Sequence, residues 1–113
     1  MKDNYHDSII KTFCEHIDSF EKDIGFLVKN IETNVYLDSK GELDIVLEGY
    51  SDEKALIEVK SNNGLMGKFL TKQFEIYQDY DSKASIFLLY GTKEESLKIE
   101  DLTLKKFQRR RGR

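Results

Sequence analysis

Proline is absent from this chain, and no segment repeats another or is of low complexity. Nothing therefore marks an inter-domain linker, and 113 residues suit one domain. Cysteine occurs once, as Cys14, which excludes an intramolecular disulfide. The grouped Cys/His spacing of a zinc site is missing too. A reducing, intracellular location is the expectation. No apolar run approaches the ~18 residues of a membrane span. The opening MKDNYHDSII has no apolar core of signal-peptide length, so neither membrane insertion nor secretion is expected.

What the chain does have is enough to fold. The hydrophobic fraction is 39%, with seven Phe and six Tyr, which argues against general disorder. At this length folding buries somewhat under ~70% of the extended-chain surface, so a core can form without staples. The net charge is −3, but it is unevenly placed. Residues 105–113 (KKFQRRRGR) carry six of the 18 cations and no acid, leaving 12 against 21, a net of −9, in the rest. The expected organisation is a domain over 1–104 and a basic tail over 105–113. The tail either contacts phosphates or serves as a solubilising end.

Residues 4–24 read as a helix, with Ile10, Phe13, Ile17, Phe20 and Ile24 forming one apolar stripe. Asp3 or Asn4 could cap its start and Gly25 end it. His6 falls on the same stripe. Residues 26–31 and 35–37 read as strand, with a turn at Ser39-Lys40-Gly41. Residues 42–48 and 55–60 alternate or run apolar around the turn Gly49–Glu53, which makes an antiparallel hairpin. Residues 65–80 form a second helix with Met66, Leu70, Gln73, Tyr77 and Tyr80 on one face. The apolar run 84–90 is a strand buried on both sides, expected to lie parallel to 55–60 by a right-handed crossover. Beyond Gly91, Thr92 and Glu95 could cap a short helix. The order is α-β-β-β-α-β, an α/β fold.

The hairpin carries the chemistry. Glu58 and Lys60 share a strand face, with Ile57 and Val59 on the other. The pairing brings Asp44 near them. Two carboxylates and an ammonium at a strand end suit a hard cation such as Mg²⁺ or Mn²⁺, with the Val59 carbonyl as a further oxygen ligand. Such a cation polarises a phosphodiester and acidifies a water, and Lys60 can position that water or neutralise developing charge. The same residues would equally make a plain surface Glu-Lys pair. On the second helix, Gln73 and Tyr77 at i and i+4 present polar tips side by side. They suit either a grip on the site or a core-edge position.

ELDIV, then ALIEVK, then a helix bearing Q-x-x-x-Y resembles the PD-(D/E)xK nuclease superfamily, in particular its RecB/Cas4-like branch. The resemblance spans residues 6 to about 90. It implies a restriction-endonuclease-like fold with a mixed central sheet flanked by helices. It also implies a metal-dependent phosphodiesterase acting on DNA. Asp44, Glu58, Lys60, Gln73 and Tyr77 fall on the family's catalytic positions, and His6 on its upstream metal-binding histidine. Other branches use a helix glutamate there, for which Glu21 is the better candidate and Glu15 the poorer. Leu43 replaces the usual proline before the first acid, and the cysteines of an iron–sulfur cluster are missing, so no cluster is expected.

The expected partner is DNA, cut structure-selectively or without sequence choice. The alternatives are a Holliday-junction-resolvase-like endonuclease or a catalytically silent module that binds nucleic acid or protein. A homodimer would let two sites address two strands. Lys68, Lys72, Arg109, Arg110 and Arg111 are candidate phosphate contacts.

Overall fold

The computed structural model describes residues 4–37, 41–61, 68–92 and 97–107, with the backbone alone for residue 4 and residues 68–72. Helix α1 spans Asn4–Glu15, followed by a 3₁₀ turn at Ile17–Phe20 and a short helix α2 at Glu21–Ile24. The strands are β1 (Val28–Tyr36), β2 (Glu42–Gly49), β3 (Lys54–Lys60), β4 (Ser85–Gly91) and β5 (Leu102–Phe107). Helix α3 (Lys68–Tyr80) connects β3 to β4. The sheet order is β1-β2-β3-β4-β5. Among the described residues only the β3–β4 pair is parallel. This is an α/β protein with a five-stranded mixed sheet.

The single helix expected over 4–24 is broken. The His16 ring Nδ1 bonds to the Thr12 carbonyl at 2.9 Å, and the His16 N–H reaches back only three residues, to Phe13, at 3.1 Å. The chain tightens into a 3₁₀ turn there, and the apolar stripe survives the break. Ile10, Phe13, Phe20 and Ile24 are buried, with Ile9 beside them and Ile17 partly so. Phe13 and Phe20 pack with ring centroids 4.8 Å apart. Gly25 ends α2 in the left-handed conformation, φ 100°, as its position suggests.

Alternation along β3 divides the core. Ala55, Ile57 and Val59 face α1 and α2, together with Ile45, Leu47, Phe87, Leu89 and Leu102. Leu56 faces the other way with Val46, Ile86 and Tyr77 of α3. Each large side chain so buried contributes roughly 1.5–3 kcal/mol. Gly91 leaves room for the Tyr5 hydroxyl, packed over it from α1; a Cβ there would force the Tyr5 ring to shift.

Two further expectations are corrected, and the chain beyond Gly91 adds an element. The interruption at 32–34 does not occur: β1 runs unbroken to Tyr36, with Asn34 taking a left-handed φ of 55° inside it. Tyr80 is 40% exposed rather than on the buried face, its ring lying 5.7 Å from the Lys54 ammonium. Beyond Gly91 the structure has a 3₁₀ turn at Ile99–Asp101 and then β5, an edge strand antiparallel to β4. Thr92 hydrogen-bonds the Asp101 carbonyl with both its N–H (2.8 Å) and its hydroxyl (3.1 Å). Glu95 lies outside the described residues. Lys105, Lys106 and Phe107 belong to β5, so a boundary at 104 falls inside a strand. No helix among the described residues is long and apolar enough to cross a membrane.

Candidate functional site

Among the described residues just two polar or charged side chains are buried, Asp44 and Glu58, each 7% exposed. Buried carboxylates are costly unless paired or hydrogen-bonded, so their surroundings decide what they are for.

Asp44 sits where the β2–β3 ladder stops. The paired residues run from Glu48↔Lys54 to Ile45↔Ile57 and end there. The next donor, the Val59 N–H, is taken by Asp44 Oδ2 at 2.8 Å, so the carboxylate stands in for the missing strand carbonyl. The β1–β2 ladder is irregular at the same level. Thr33↔Ile45 and Val35↔Leu43 are paired, while Asn34 and Asp44 between them are not. Leu43 packs on the α3 side although Ile45 packs on the α1 side, which breaks strict alternation. Local irregularity of this kind re-aims a side chain.

His6 approaches from α1. Its Nε2 lies 3.0 Å from the Val59 carbonyl oxygen and 3.7 Å from Asp44 Oδ2. The alternative helix acids are elsewhere: Glu21 accepts the Val28 N–H at 2.9 Å, and Glu15 is exposed. Three elements thus deliver an imidazole nitrogen, a carboxylate oxygen and a carbonyl oxygen to one spot.

Glu58 is held from the other side. Tyr77 donates its hydroxyl to Oε1 at 2.6 Å and Gln73 donates to the same oxygen at 3.1 Å. Lys60 Nζ lies 3.2 Å from Oε2. The Tyr77 oxygen also stands 3.4 Å from the Ile57 carbonyl and 3.4 Å from the Asp44 N–H. A phenol has one proton, and the 2.6 Å contact to a carboxylate takes it. Burial raises the Glu58 pKa above the ordinary carboxylate value, Asp44 raises it further, and Tyr77, Lys60 and Gln73 oppose both. Burial first, and then Glu58 and Asp44, push the Tyr77 phenol far upward, so it stays neutral, donating to Glu58 while its oxygen accepts the Asp44 N–H.

His6, Glu42, Asp44, Glu58, Val59, Lys60, Ser61 and Gln73 line an open cleft of about 440 Å³. Glu42 and Ser61 had no signal in the sequence beyond adjacency to the candidate residues. Lys68 lies in the first turn of α3 and Lys72 in its second; the positions of their side chains, and residues 109–111, fall outside the described residues.

Comparison of the chain with protein-family models, with curated proteins and with solved structures gives no match.

Whether the residues fit a divalent ion is a question of donors. Ligands at ~2.0–2.1 Å in a near-octahedral site stand roughly 3 Å apart along each edge. The 3.0 Å between His6 Nε2 and the Val59 oxygen is a hydrogen bond in which Nε2–H donates; it has the length of that edge, and the nitrogen would have to give up its proton to serve as a ligand, while the 3.7 Å to Asp44 Oδ2 is a little wide. Among the described residues no three His, Cys, Asp or Glu side chains come together as a ready ligand cluster. The second carboxylate in the cleft, Glu58, is engaged by Gln73, Tyr77 and Lys60. An ion bound here would draw on His6, Asp44 and the Val59 carbonyl, with Glu58 beside them.

Proposed function

We propose that this protein is a divalent-metal-dependent nuclease that hydrolyses phosphodiester bonds in DNA, of the PD-(D/E)xK type. The observation that carries the reading is the convergence of His6 Nε2, Asp44 Oδ2 and the Val59 carbonyl within 3.0–3.7 Å, one strand position from Glu58 and Lys60. A restriction-endonuclease-like arrangement of the core agrees with the hairpin, the crossover helix and the parallel β3–β4 pair.

His6, Asp44 and the Val59 carbonyl would hold Mg²⁺ or Mn²⁺, with Glu58 completing the set through the cleft. When bound, such an ion supplies Lewis acidity: it polarises the scissile phosphodiester and acidifies a water. The chain's own groups do the rest. Lys60, on the open side of Glu58, places a positive charge where a phosphate enters and charge develops. Tyr77 and Gln73 fix the Glu58 carboxylate by donating to one of its oxygens, which leaves the other turned toward Lys60 and the cleft. The Asp44–Val59 bond locks the two strand ends together, so that the donors stay aligned without rearrangement.

The test is a cleavage assay of purified protein on linear single-stranded, linear duplex and branched DNA, with Mn²⁺ and with EDTA. Mn²⁺-dependent cutting that Lys60→Ala abolishes, with an unchanged circular dichroism spectrum, is the expected result. Preference for branched DNA by a dimer would assign the junction-resolving subclass. Full activity in Lys60→Ala overturns the role given to that lysine. One observation favours a second reading, a silent module that binds nucleic acid or protein: both Glu58 oxygens are already satisfied. That reading predicts no Mn²⁺-dependent rise in melting temperature.

A further inference from the structure

The register across the sheet places a second group of side chains on the face that bears the cleft. Glu58 is level with Leu88 of β4, and Leu88 with Lys105 of β5. The next row that points the same way runs from Lys60 to Tyr90 to Thr103. Ile86 packs on the α3 side, whereas Phe87 and Leu89 pack on the α1 side. Alternation therefore puts Leu88 and Tyr90 on the α3 side, with Thr103 and Lys105 beside them. At ~4.8 Å per strand, Lys105 stands roughly 10 Å from Glu58 across this face.

Among the described residues, no packing cluster, ion pair or side-chain hydrogen bond accounts for Tyr90, Thr103 and Lys105. Tyr90 is half-buried, yet it packs into neither core cluster. Among the described residues neither its hydroxyl nor the Thr103 hydroxyl has a hydrogen-bond partner. Lys105 is exposed and forms no ion pair among the described residues. A sheet face carrying an aromatic ring on β4 and a hydroxyl and a cation on the edge strand β5, all leading to Lys60, offers a base a surface to stack on and a phosphate a counter-charge.

We propose that Tyr90, Thr103 and Lys105 form a track for an unpaired nucleic-acid strand, leading from the edge of the sheet to Lys60 and Glu58. The proposal deepens the nuclease reading and rests on it for the location of the scissile phosphate. Its binding claim is tested without catalysis. The choice of an unpaired strand follows from chemistry: a ring on the protein can stack only on a base not already stacked in a duplex. Lys105 contacts the backbone and adds affinity that salt weakens, and Tyr90 adds affinity that salt leaves alone.

The experiment is fluorescence anisotropy of a labelled oligothymidylate and of a duplex of the same length, in EDTA, over a series of salt concentrations. The variants are Tyr90→Leu, Tyr90→Phe and Lys105→Glu, each checked for an unchanged melting transition. The single strand is expected to bind more tightly than the duplex. Tyr90→Leu should weaken single-strand binding by roughly 5- to 150-fold, the range for loss of one base–aromatic stack, and Tyr90→Phe should retain it. Lys105→Glu should weaken binding and lower the salt slope by about one. Duplex preference, or Tyr90→Leu binding the single strand as tightly as the parent protein, overturns the track. If Mn²⁺-dependent cleavage persists in that case, only this inference fails; if cleavage is absent while the Tyr90 and Lys105 effects hold, it is the nuclease reading that fails.

Discussion

Asp44 is given two tasks, and a pair of substitutions separates them. Asp44→Ala removes both the oxygen proposed to bind the metal and the acceptor for the Val59 N–H, which now bonds to Oδ2 at 2.8 Å. Asp44→Asn keeps an acceptor oxygen in place but removes the charge. Both variants lose the repulsion between Asp44 and Glu58, so that contribution cancels in the comparison. What remains between them is one buried donor left unpaired, which costs about 1–3 kcal/mol. Because the cleft admits water, the lower half of that range applies. For a domain of this size 1 kcal/mol moves the melting temperature by about 4 °C. In EDTA, Asp44→Ala should therefore melt about 4–8 °C below Asp44→Asn. On the proposed metal site, Mn²⁺ at a hundred times its Kd should stabilise the parent protein by about 2.7 kcal/mol and raise its melting temperature correspondingly. Neither variant should show that rise. Differential scanning calorimetry with and without Mn²⁺ reads both effects. A full Mn²⁺ shift in Asp44→Asn removes Asp44 from the metal set. Equal melting of the two variants in EDTA refutes its role as a substitute strand carbonyl.

Three other outcomes are expected. The raised Glu58 pKa means that the folded state holds this proton to higher pH than the unfolded chain does. Metal-free stability therefore falls as pH rises from the ordinary carboxylate range through the raised value. Glu58→Gln should be the more stable protein at neutral pH and match the parent at acid pH; the opposite order in a pH series of melts would contradict the burial argument. Tyr77→Phe removes the 2.6 Å donor to Glu58, a hydrogen bond to a charged group worth about 1.5–3 kcal/mol, and urea titration should show a loss of that order. Burial first and Glu15 second raise the Cys14 thiol pKa. Its reaction with a disulfide reagent near pH 8 should be slow in the native protein and rapid in denaturant, and a native rate equal to that of a free thiol would place Cys14 in the open.

Much of this molecule is legible from local pattern alone. Strand side chains alternate with a period of two, so ALIEVK by itself puts Glu58 and Lys60 on one face and Ile57 and Val59 on the other. Two apolar runs around a short polar turn dictate the β2–β3 hairpin, and a helix after β3 dictates the parallel return of β4. His6 was reachable as well, because the helical angle of α1 carries it onto the buried stripe.

Other features depend on contacts between segments far apart in sequence, which no local period encodes. β5 was hidden because LTLKKF is half polar, and an edge strand needs only one neighbour, β4, to satisfy its backbone. The helix break at His16 arises from a side chain taking a backbone carbonyl, an alternative that periodicity does not register. The exposure of Tyr80 was decided by where α3 ends against the sheet and by the cation beside the ring. The state of the two acids was likewise a tertiary matter. Sequence alone determined that Asp44 and Glu58 lie in adjacent strands of a hairpin. Only the tertiary structure determined that the ladder stops at Ile45, so that Asp44 turns to the Val59 N–H, and that Tyr77 and Gln73 arrive from α3 to hold Glu58. The reason is that burying a carboxylate is favourable only once donors surround it, and the donors supplied by Val59, Gln73 and Tyr77 come from 15 to 19 positions away.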